Sequence, residues 1–443
     1  MLKISKYTVI HEVEDGVLLY NMKNGAQIFV NNEEEKLKGD LLSLKKKDCD
    51  NIENDILKKA FCVPDDIDEV QEVMASYYKQ MFDPTNLSFI IMPNNICNFR
   101  CKYCYQEHGK KVISDENIYK FIKAIKNYYY DHGLKDFYIE WFGGEPFISF
   151  DIIKKVTDNL NNFFYGKNVR YHYGATTNGS LLSKDKIEYL LNNQFDFFQI
   201  TIDGDKETHN SNRPFSDGRP TWNIIFDNLK TFNSFKEFDF HISIRVNYNN
   251  ETFAGINELF DAIKDNLDSR FTVFFHTIGK WGGENDESLD VIDYSIEPYT
   301  TVMLMEEAIK KGIEPLTNYN YYNPFKRVCY AGVPYHFTLG SDGKLRKCNE
   351  EDEELDKFNV VGTIENERIE FNLYKWSRFV LPNGKIELES KCKECINLPV
   401  CFAQNCPKSR IINGNNRCPN DFIVTSEVLM NKYNYMIKSI RRK

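Results

Sequence analysis

The stretch Cys97-Asn98-Phe99-Arg100-Cys101-Lys102-Tyr103-Cys104 decides how the chain is read. It spaces three cysteines as C-x3-C-x2-C and sets an aromatic residue, Tyr103, directly before the third. A structural zinc site takes four ligands, and this loop supplies three, with His108 the first histidine after it. Three thiolates on one tight loop suit a cubane [4Fe–4S] cluster, because they hold three irons and leave the fourth open to another ligand. Read alone, the loop leaves a zinc knuckle and three buried thiols as alternatives. The rest of the chain weighs against both.

With 443 residues the chain exceeds the ~250–300 at which a single core stops growing, so two or three domains are expected. A hydrophobic content of 42% and an aromatic content of 14% indicate well-packed globular domains. The net charge of −9 argues against nucleic acid, which is bound mainly through Lys and Arg contacts to phosphate. Residues Met1 to Lys6 lack the apolar region of a signal peptide, and no run approaches ~18 apolar residues. These readings place the protein in the cytoplasm, away from membranes. Twelve cysteines in that compartment point to metal or redox chemistry and away from disulfides. All but Cys49 and Cys62 fall into two tight groups, and those two are read as ordinary buried thiols.

Residues 1–85 read as a separate domain. Alternating runs at Tyr7–Val13, Val17–Asn21 and Ala26–Val30 are divided by Asp15-Gly16 and Asn24-Gly25, both strong hairpin signals. Helical patterns follow near Glu33–Lys38, Asn51–Ala60 and Asp65–Met81. Three strands then three helices resembles the winged-helix recognition element of peptide-modifying systems (RRE-like). That resemblance implies a leader-peptide site, and a plain packing domain is the alternative. From Leu87 onward strands alternate with helices in the manner of parallel α/β units. Strands are expected at Leu87–Met92, Phe137–Trp141, Val169–Thr176, Phe197–Ile202, Phe240–Val246 and Phe271–Phe275. One helix is capped by Ser114 and carries Ile118, Phe121, Ile122 and Ile125 on one face; another begins at Ser183. Six such units make a partial (β/α)6, TIM-like barrel over residues 86–310, whose chemistry sits where strands end.

The motifs fall at those strand ends. The three-cysteine loop follows the first strand and resembles the signature of the radical S-adenosylmethionine (SAM) superfamily. Trp141-Phe142-Gly143-Gly144-Glu145-Pro146 follows the second, with two glycines that permit close backbone approach. It looks like the GGEP motif that holds the SAM amino group. Thr177-Asn178-Gly179 follows the third strand, and by itself is only good turn chemistry. After the fourth comes Thr201-Ile202-Asp203-Gly204, continuing through His209 to Arg213. This resembles a segment of SPASM-type radical SAM enzymes in which a hydroxyl meets the SAM ribose and the closing Arg pairs with its carboxylate. Thr201 replaces the usual Ser and keeps the hydroxyl, while His209 reads as structural. Arg245 on the fifth strand is divided evenly between facing the site and an ordinary salt bridge. The resemblance implies a [4Fe–4S] cluster on Cys97, Cys101 and Cys104, and SAM contacts at Tyr103, Gly143, Gly144, Glu145, Thr201 and Arg213.

A second cysteine group, Cys329, Cys348, Cys392, Cys395, Cys401, Cys406 and Cys418, occupies residues 311–443. Its later run, C-x2-C-x5-C-x4-C-x11-C, resembles the SPASM extension, which binds two auxiliary [4Fe–4S] clusters. By that resemblance Cys392, Cys395, Cys401 and Cys418 hold the outer cluster, and Cys329, Cys348 and Cys406 the inner one. The family spacer between the third and fourth cysteines of the run has three residues; here Phe402-Ala403-Gln404-Asn405 make four. Some relatives carry a further Cys six residues before the first, where this chain has Asn323. A zinc ribbon on Cys392, Cys395, Cys401 and Cys406 is the competing reading.

Membership implies reductive cleavage of SAM to a 5′-deoxyadenosyl radical that abstracts hydrogen from a peptide, fed by a donor such as flavodoxin or ferredoxin. The favoured expectation is a ribosomal-peptide (RiPP) maturase that installs a crosslink, preferably a thioether. One alternative is an anaerobic sulfatase-maturating, formylglycine-forming enzyme. Those usually begin close to the cluster motif and carry an Asp directly after the second auxiliary Cys, where Asn349 stands here. The nearby run Glu350 to Glu354 is read as a solvated acidic loop. A second alternative is a non-catalytic iron–sulfur, peptide-binding adaptor. No residue that steers the radical is identified. Because exposed cluster iron is oxygen-labile, prolonged exposure to air is expected to bleach the protein and abolish SAM cleavage, followed as 5′-deoxyadenosine formation. Retained activity would count against the cluster.

Overall fold

The computed structural model describes residues 1–280, 283, 285–316, 328–350, 353–414 and 418–441. Asn323, Glu351 and Asp352 lie outside them. The chain divides into two compact units, one of residues 83–316 and 334–379, the other of residues 1–82, 317–333 and 380–443. Residues 334–379 fall in the unit of the barrel strands, and the strand pairing described below supplies the reason.

In the second of these units the N-terminal segment forms β1 (Leu2–Ile4), β2 (Thr8–Val13), β3 (Gly16–Asn21), β4 (Gln27–Asn31), α1 (Glu35–Lys45), α2 (Asp55–Phe61), β5 (Cys62–Pro64) and α3 (Glu69–Met81). Strands β2, β3 and β4 pair antiparallel in that order. Gly16 is required at the head of β3, because a Cβ there would stand 2.3 Å from the Val30 carbonyl oxygen. Asn54 and Asp68 start α2 and α3 by accepting from two backbone N–H groups each. Strands β1 and β5 are too short to leave a sequence pattern, and they pair with each other. That pairing overturns the reading of Cys49 and Cys62 as separate thiols. Cys62 heads β5, its Cα lies 6.1 Å from that of Cys49, and the two form a disulfide. Within the same unit α3 is tied to the cysteine-rich segment. The Tyr77 hydroxyl donates to the Val380 carbonyl (2.8 Å), Gln404 Nε2 donates to that hydroxyl (2.8 Å), and the Tyr77 and Phe402 rings stack at 5.0 Å.

The other unit is built on β6 (Asn86–Ile91), β7 (Asp136–Trp141), β8 (Arg170–Thr177), β9 (Phe195–Thr201), β10 (His241–Tyr248) and β11 (Phe271–Thr277). These are the six expected strands, all parallel and in sequential order. Helices α4 (Asp115–His132), α5 (Phe150–Phe164), α6 (Lys184–Asn192), α7 (Lys206–Asn212), α8 (Trp222–Ser234), α9 (Ile256–Asn266) and α10 (Glu297–Lys311) intervene or follow. The sheet does not stop at six strands. β12 (His336–Leu339) joins β6 in parallel, and β13 (Lys344–Arg346), β14 (Val360–Glu365) and β15 (Arg368–Phe371) extend it antiparallel to ten strands. Residues 334–379 therefore belong with the barrel strands.

One face of this sheet is apolar and covered by helices. Phe89 of β6 meets Phe121 of α4 edge-on at 5.1 Å, Phe137 of β7 meets Phe164 of α5, and Phe198 of β9 meets Phe232 of α8. Period-two alternation sends the intervening side chains to the opposite, inner face. There lie Tyr138, Glu140, Thr176, Gln199, Thr201, Ser243, Arg245 and Asn247. Among the described residues no helix is long and apolar enough to cross a membrane. Phe89 is fully buried between α4 and Phe337 of β12. Phe89→Ala is expected to cost about 3–5 kcal/mol, read as a lower urea midpoint for this unit.

Candidate active site

The cysteine loop leaves the end of β6 and is fastened on three sides. Asn94, fully buried, donates through Nδ2 to the Glu145 carbonyl (3.2 Å) and Ser149 Oγ (2.8 Å), and its Oδ1 accepts from the Ile96 N–H. Gly143 and Gly144 lie against this segment. A Cβ on Gly143 would meet the Asn94 oxygen at 2.5 Å, and one on Gly144 the Ile96 oxygen at 2.3 Å. Gly143 also has φ +135°, a conformation that favours glycine. The Glu145 N–H then donates to the Ile96 carbonyl at 2.7 Å. So the two glycines serve first to bring two backbones together.

Glu145 is fully buried, and its carboxylate accepts from the Phe147 N–H, the Thr177 hydroxyl and the Asn178 N–H. Burial pushes its pKa up, and those three bonds together with Arg213 oppose the shift. Asn178 Nδ2 donates to Asn98 Oδ1 (2.8 Å), and Asn98 donates to Ser180 Oγ (2.9 Å). The Thr177-Asn178-Gly179 turn, which looked generic in sequence, thus clamps the cysteine loop. On the third side the Arg100 and Lys102 N–H groups donate to the Pro214 and Asn212 carbonyls, and Phe99 packs edge-on against Phe215.

That last contact carries Arg213 to the loop. Arg213 Nη1 donates to the Tyr103 hydroxyl (2.7 Å), Tyr103 donates to Asp203 Oδ2 (2.5 Å), and Asn247 Nδ2 donates to the Tyr103 hydroxyl (2.9 Å) and to Asp203 Oδ1 (3.2 Å). Asp203 and Asn247 were not among the expected SAM contacts: Asp203 stood in the quoted motif without a role of its own, and Asn247 had no sequence signal. His209 is structural, as expected: Nδ1 accepts from the Asp203 N–H, Nε2 bonds the Thr221 hydroxyl, and burial holds it neutral. Thr201 ends β9, buried and in register with Arg245.

Two observations bear on what this site can hold. Arg213 Nε is buried and without a hydrogen-bond partner, although Nη1 is engaged. A guanidinium with a free edge suits a carboxylate. Burial pushes the Cys97 and Cys101 thiols up to about 11 and about 12, and the Cys104 thiol up as well. Thiolates at these positions need a compensating cation, which iron would supply. The donor set therefore fits a cluster with a carboxylate-bearing ligand, although among the described residues no three His, Cys, Asp or Glu side chains are gathered closely enough to hold a metal ion.

The second cysteine group is distributed between the units. Cys348 is buried in the barrel unit, directly after β13; Cys329, Cys392, Cys395, Cys401, Cys406 and Cys418 belong to the other. Burial pushes the Cys392 and Cys395 thiols up, and the nearby Cys418 adds to the shift of both. The four-residue spacer is accommodated by left-handed Phe402 and Ala403, which turn the buried Gln404 onto Tyr77. Near Cys348, Glu350 is half-buried and its charge reaches Tyr105, as do those of Cys348 and Arg245. At Glu350 the acidic run therefore departs from the solvated loop expected of it.

Residues 91–294 match the model of the Radical SAM superfamily. A cysteine-type anaerobic sulfatase-maturating enzyme from Clostridium novyi (strain NT) is 24% identical over 339 residues, spanning 71% of this chain and 87% of its own. The radical SAM cyclopropyl synthase TigE of Paramaledivibacter caminithermalis is 25% identical over 181 residues, spanning 38% of this chain and 36% of its own. Among solved structures, native anSMEcpe with bound AdoMet and Kp18Cys peptide shares the fold at a TM-score of 0.61, with 20% identity over 81% of this chain and all of that one. Residues 91–294 are thus a radical SAM domain, of the superfamily that uses SAM and a [4Fe–4S] cluster. Its relatives include maturases of sulfatases and a radical SAM cyclopropyl synthase by name.

Gly144→Ala forces the Gly143–Glu145 backbone off the cysteine loop. SAM cleavage by the reconstituted protein is expected to fall about 100-fold, the cost of misplacing reacting groups by about 1 Å. Gly39→Ala, where a Cβ meets nothing, should leave it unchanged.

Proposed function

We propose that this protein is a radical SAM peptide maturase: it uses the 5′-deoxyadenosyl radical to take hydrogen from a peptide and install a crosslink, with a thioether preferred. The observation that carries the reading is the buried, unpartnered Nε of Arg213, held beside the cysteine loop through Tyr103. Cys97, Cys101 and Cys104 hold the cluster. When bound, cluster and SAM together supply the primary radical. Arg213 takes the SAM carboxylate, the backbone at Gly143 to Glu145 accepts from its ammonium, and Thr201 meets its ribose. Tyr103 acts mainly as the post that orients Arg213. Thioether formation replaces one C–H and one S–H bond with a C–S bond. One hydrogen atom leaves on 5′-deoxyadenosine, and a proton and one electron remain to be removed. Cys392, Cys395, Cys401 and Cys418 as one set, and Cys329, Cys348 and Cys406 as another, would hold the proposed auxiliary clusters, which would supply an acceptor for that electron. A flavodoxin- or ferredoxin-type protein is the proposed redox partner.

The peptide class is supported by the N-terminal segment, whose antiparallel β2–β3–β4 sheet followed by three helices matches the arrangement expected of a leader-binding element. Formylglycine formation is a second reading. It is favoured by the sulfatase-maturating relatives and by Glu350, a carboxylate two residues beyond Cys348 whose charge reaches Tyr105. The adaptor reading is disfavoured, because a protein that did not bind SAM would not need a buried, unpaired guanidinium edge.

The test is anaerobic reconstitution with SAM, reductant and a cysteine-containing peptide encoded nearby, followed by mass spectrometry. Loss of two hydrogens and of the free thiol, with 5′-deoxyadenosine formed, is expected. Formylglycine at the cysteine would favour the second reading, and absence of 5′-deoxyadenosine with clusters intact would favour the adaptor. Arg213→Met should weaken SAM binding by about 10- to 100-fold, the loss of a charge-assisted pair.

A further inference from the structure

Arg245 and Glu140 are half-buried charged side chains on the inner face of the sheet to which the site described above assigns no ligand. Arg245 lies on β10, in register with Thr201 on β9 and Phe274 on β11. Its Nε donates to Asn247 Oδ1 at 2.8 Å and its guanidinium stands 5.5 Å from the Phe274 ring centre. Among the described residues it has no ion pair. Asp203, the acid whose charge bears on it, is already occupied by Tyr103 and by Asn247. Among the described residues the salt bridge entertained from sequence is absent, and a half-buried cation without a counter-charge suits a ligand that supplies an acceptor.

Glu140 is its opposite. It lies on β7, takes a hydrogen bond from the Thr176 hydroxyl at 2.7 Å, and among the described residues has no cation beside it. The cross-strand register Glu140–Gly174–Phe197–His241 sets it level with a residue four positions before Arg245 along β10, while on its own strand it stands one residue from the end, Trp141. Ser243 and Thr338, both fully buried on the same face, carry hydroxyl oxygens without partners. Thr338 is in register with Ile90, and Ile90 with Glu140; Ser243 is two residues before Arg245. An inner face with a donor at one level, an acceptor at another and unfilled hydroxyls around them is made for a polar ligand that presents both an acceptor and a donor.

We propose that Arg245 and Glu140 are the substrate-binding pair of the barrel interior: Arg245 donates to an oxygen acceptor of the peptide segment that carries the reacting residue, and Glu140 accepts from a donor of the same segment. This rests on the peptide-maturase reading. The acceptor is either an acidic side chain or a backbone carbonyl, which present the same oxygen chemistry. The SAM carboxylate is a single group already matched by Arg213, so Arg245 is left for the second ligand. Burial lowers the pKa of Arg245 and raises that of Glu140, in keeping with two charges that await partners.

The test uses the full-length, anaerobically reconstituted enzyme. Arg245→Met should leave SAM affinity and peptide-independent 5′-deoxyadenosine formation within about twofold, and raise KM for the nearby-encoded peptide about tenfold, the loss of one charge-assisted bond. Arg245→Lys should recover part of that loss, and Glu140→Gln should raise KM while leaving SAM affinity alone. A peptide in which one Asp or Glu is changed to its amide, and which loses nothing further in Arg245→Met, would identify an acidic side chain. If no such change matters, the acceptor is a backbone carbonyl. A fall in SAM affinity like that of Arg213→Met would overturn the proposal, as would an unchanged KM in both variants. Phenylglyoxal labelling decides the matter even where no peptide is converted. With SAM bound, Arg213 should be protected and Arg245 labelled; protection of both would assign Arg245 to SAM and sink the idea. Failure of the maturase reading is separate, since it appears in the wild type as SAM cleavage without peptide conversion, or as no cleavage.

Discussion

Two backbone segments, Asn94 to Ile96 and Gly143 to Glu145, lie so close that no side chain fits between them, and the rest of the site is arranged around that contact. It joins the loop after β6 to the loop after β7 through the Glu145 N–H and the Ile96 carbonyl. Glu145 carries the connection to the loop after β8, since its carboxylate bonds Thr177 and Asn178. Asn178 in turn holds Asn98, inside the cysteine loop. A closed circuit of hydrogen bonds therefore runs through three strand ends. Glu145, Thr177 and Asn178 are buried, so their bonds are protected from competing water and a lost partner there is expensive. This is how a loop with little regular structure of its own is held at the geometry a cluster requires.

The other half of the site is electrostatic. Arg213 reaches the loop through Tyr103, and Tyr103 is fixed by Asp203 and Asn247 from the ends of β9 and β10. A tyrosine between an arginine and an aspartate transmits position while keeping the two charges from collapsing into a direct salt bridge. Had Asp203 met Arg213 directly, the guanidinium would have spent its free edge on the protein. The intervening phenol keeps Nε available, which is the property a carboxylate-binding arginine needs.

The six parallel strands, the helices and the cysteine loop were legible because each has a local sequence signal: period-two apolar alternation, a cap such as Ser114, an unusual cysteine spacing. The glycines of Gly143-Gly144 were recognised as permitting close approach, but the approaching partner was taken to be a ligand, and backbone packing against Ile96 cannot be seen without the fold. Asp203 and Asn247 were missed for a related reason. They are separated by more than forty residues and meet only because β9 and β10 are neighbours. The disulfide between Cys49 and Cys62 depended on the three-residue strands β1 and β5, which are too short to show a period. Residues 334–379 lie with the barrel strands because β12 to β15 pair with that sheet across a long sequence gap, which no local pattern announces.

The unit that contains most of the second cysteine group also contains the N-terminal segment, and this bears on the four-residue spacer that departs from the family pattern. An extra residue between Cys401 and Cys406 has to be absorbed by the backbone, and it is absorbed by two successive left-handed residues, Phe402 and Ala403. Non-glycine residues adopt that conformation at a cost of about 1–3 kcal/mol each, so something must hold them. Gln404 and Phe402 provide the hold: one donates to the Tyr77 hydroxyl and the other stacks on the Tyr77 ring. The spacer and α3 are therefore a matched pair. A change in position of α3 would be felt first at Phe402 and Gln404, one residue from Cys401 and two from Cys406. The physical consequence is that the segment bearing these cysteines is shaped in part by the N-terminal helix, and its loop geometry is a joint property of both ends of the chain.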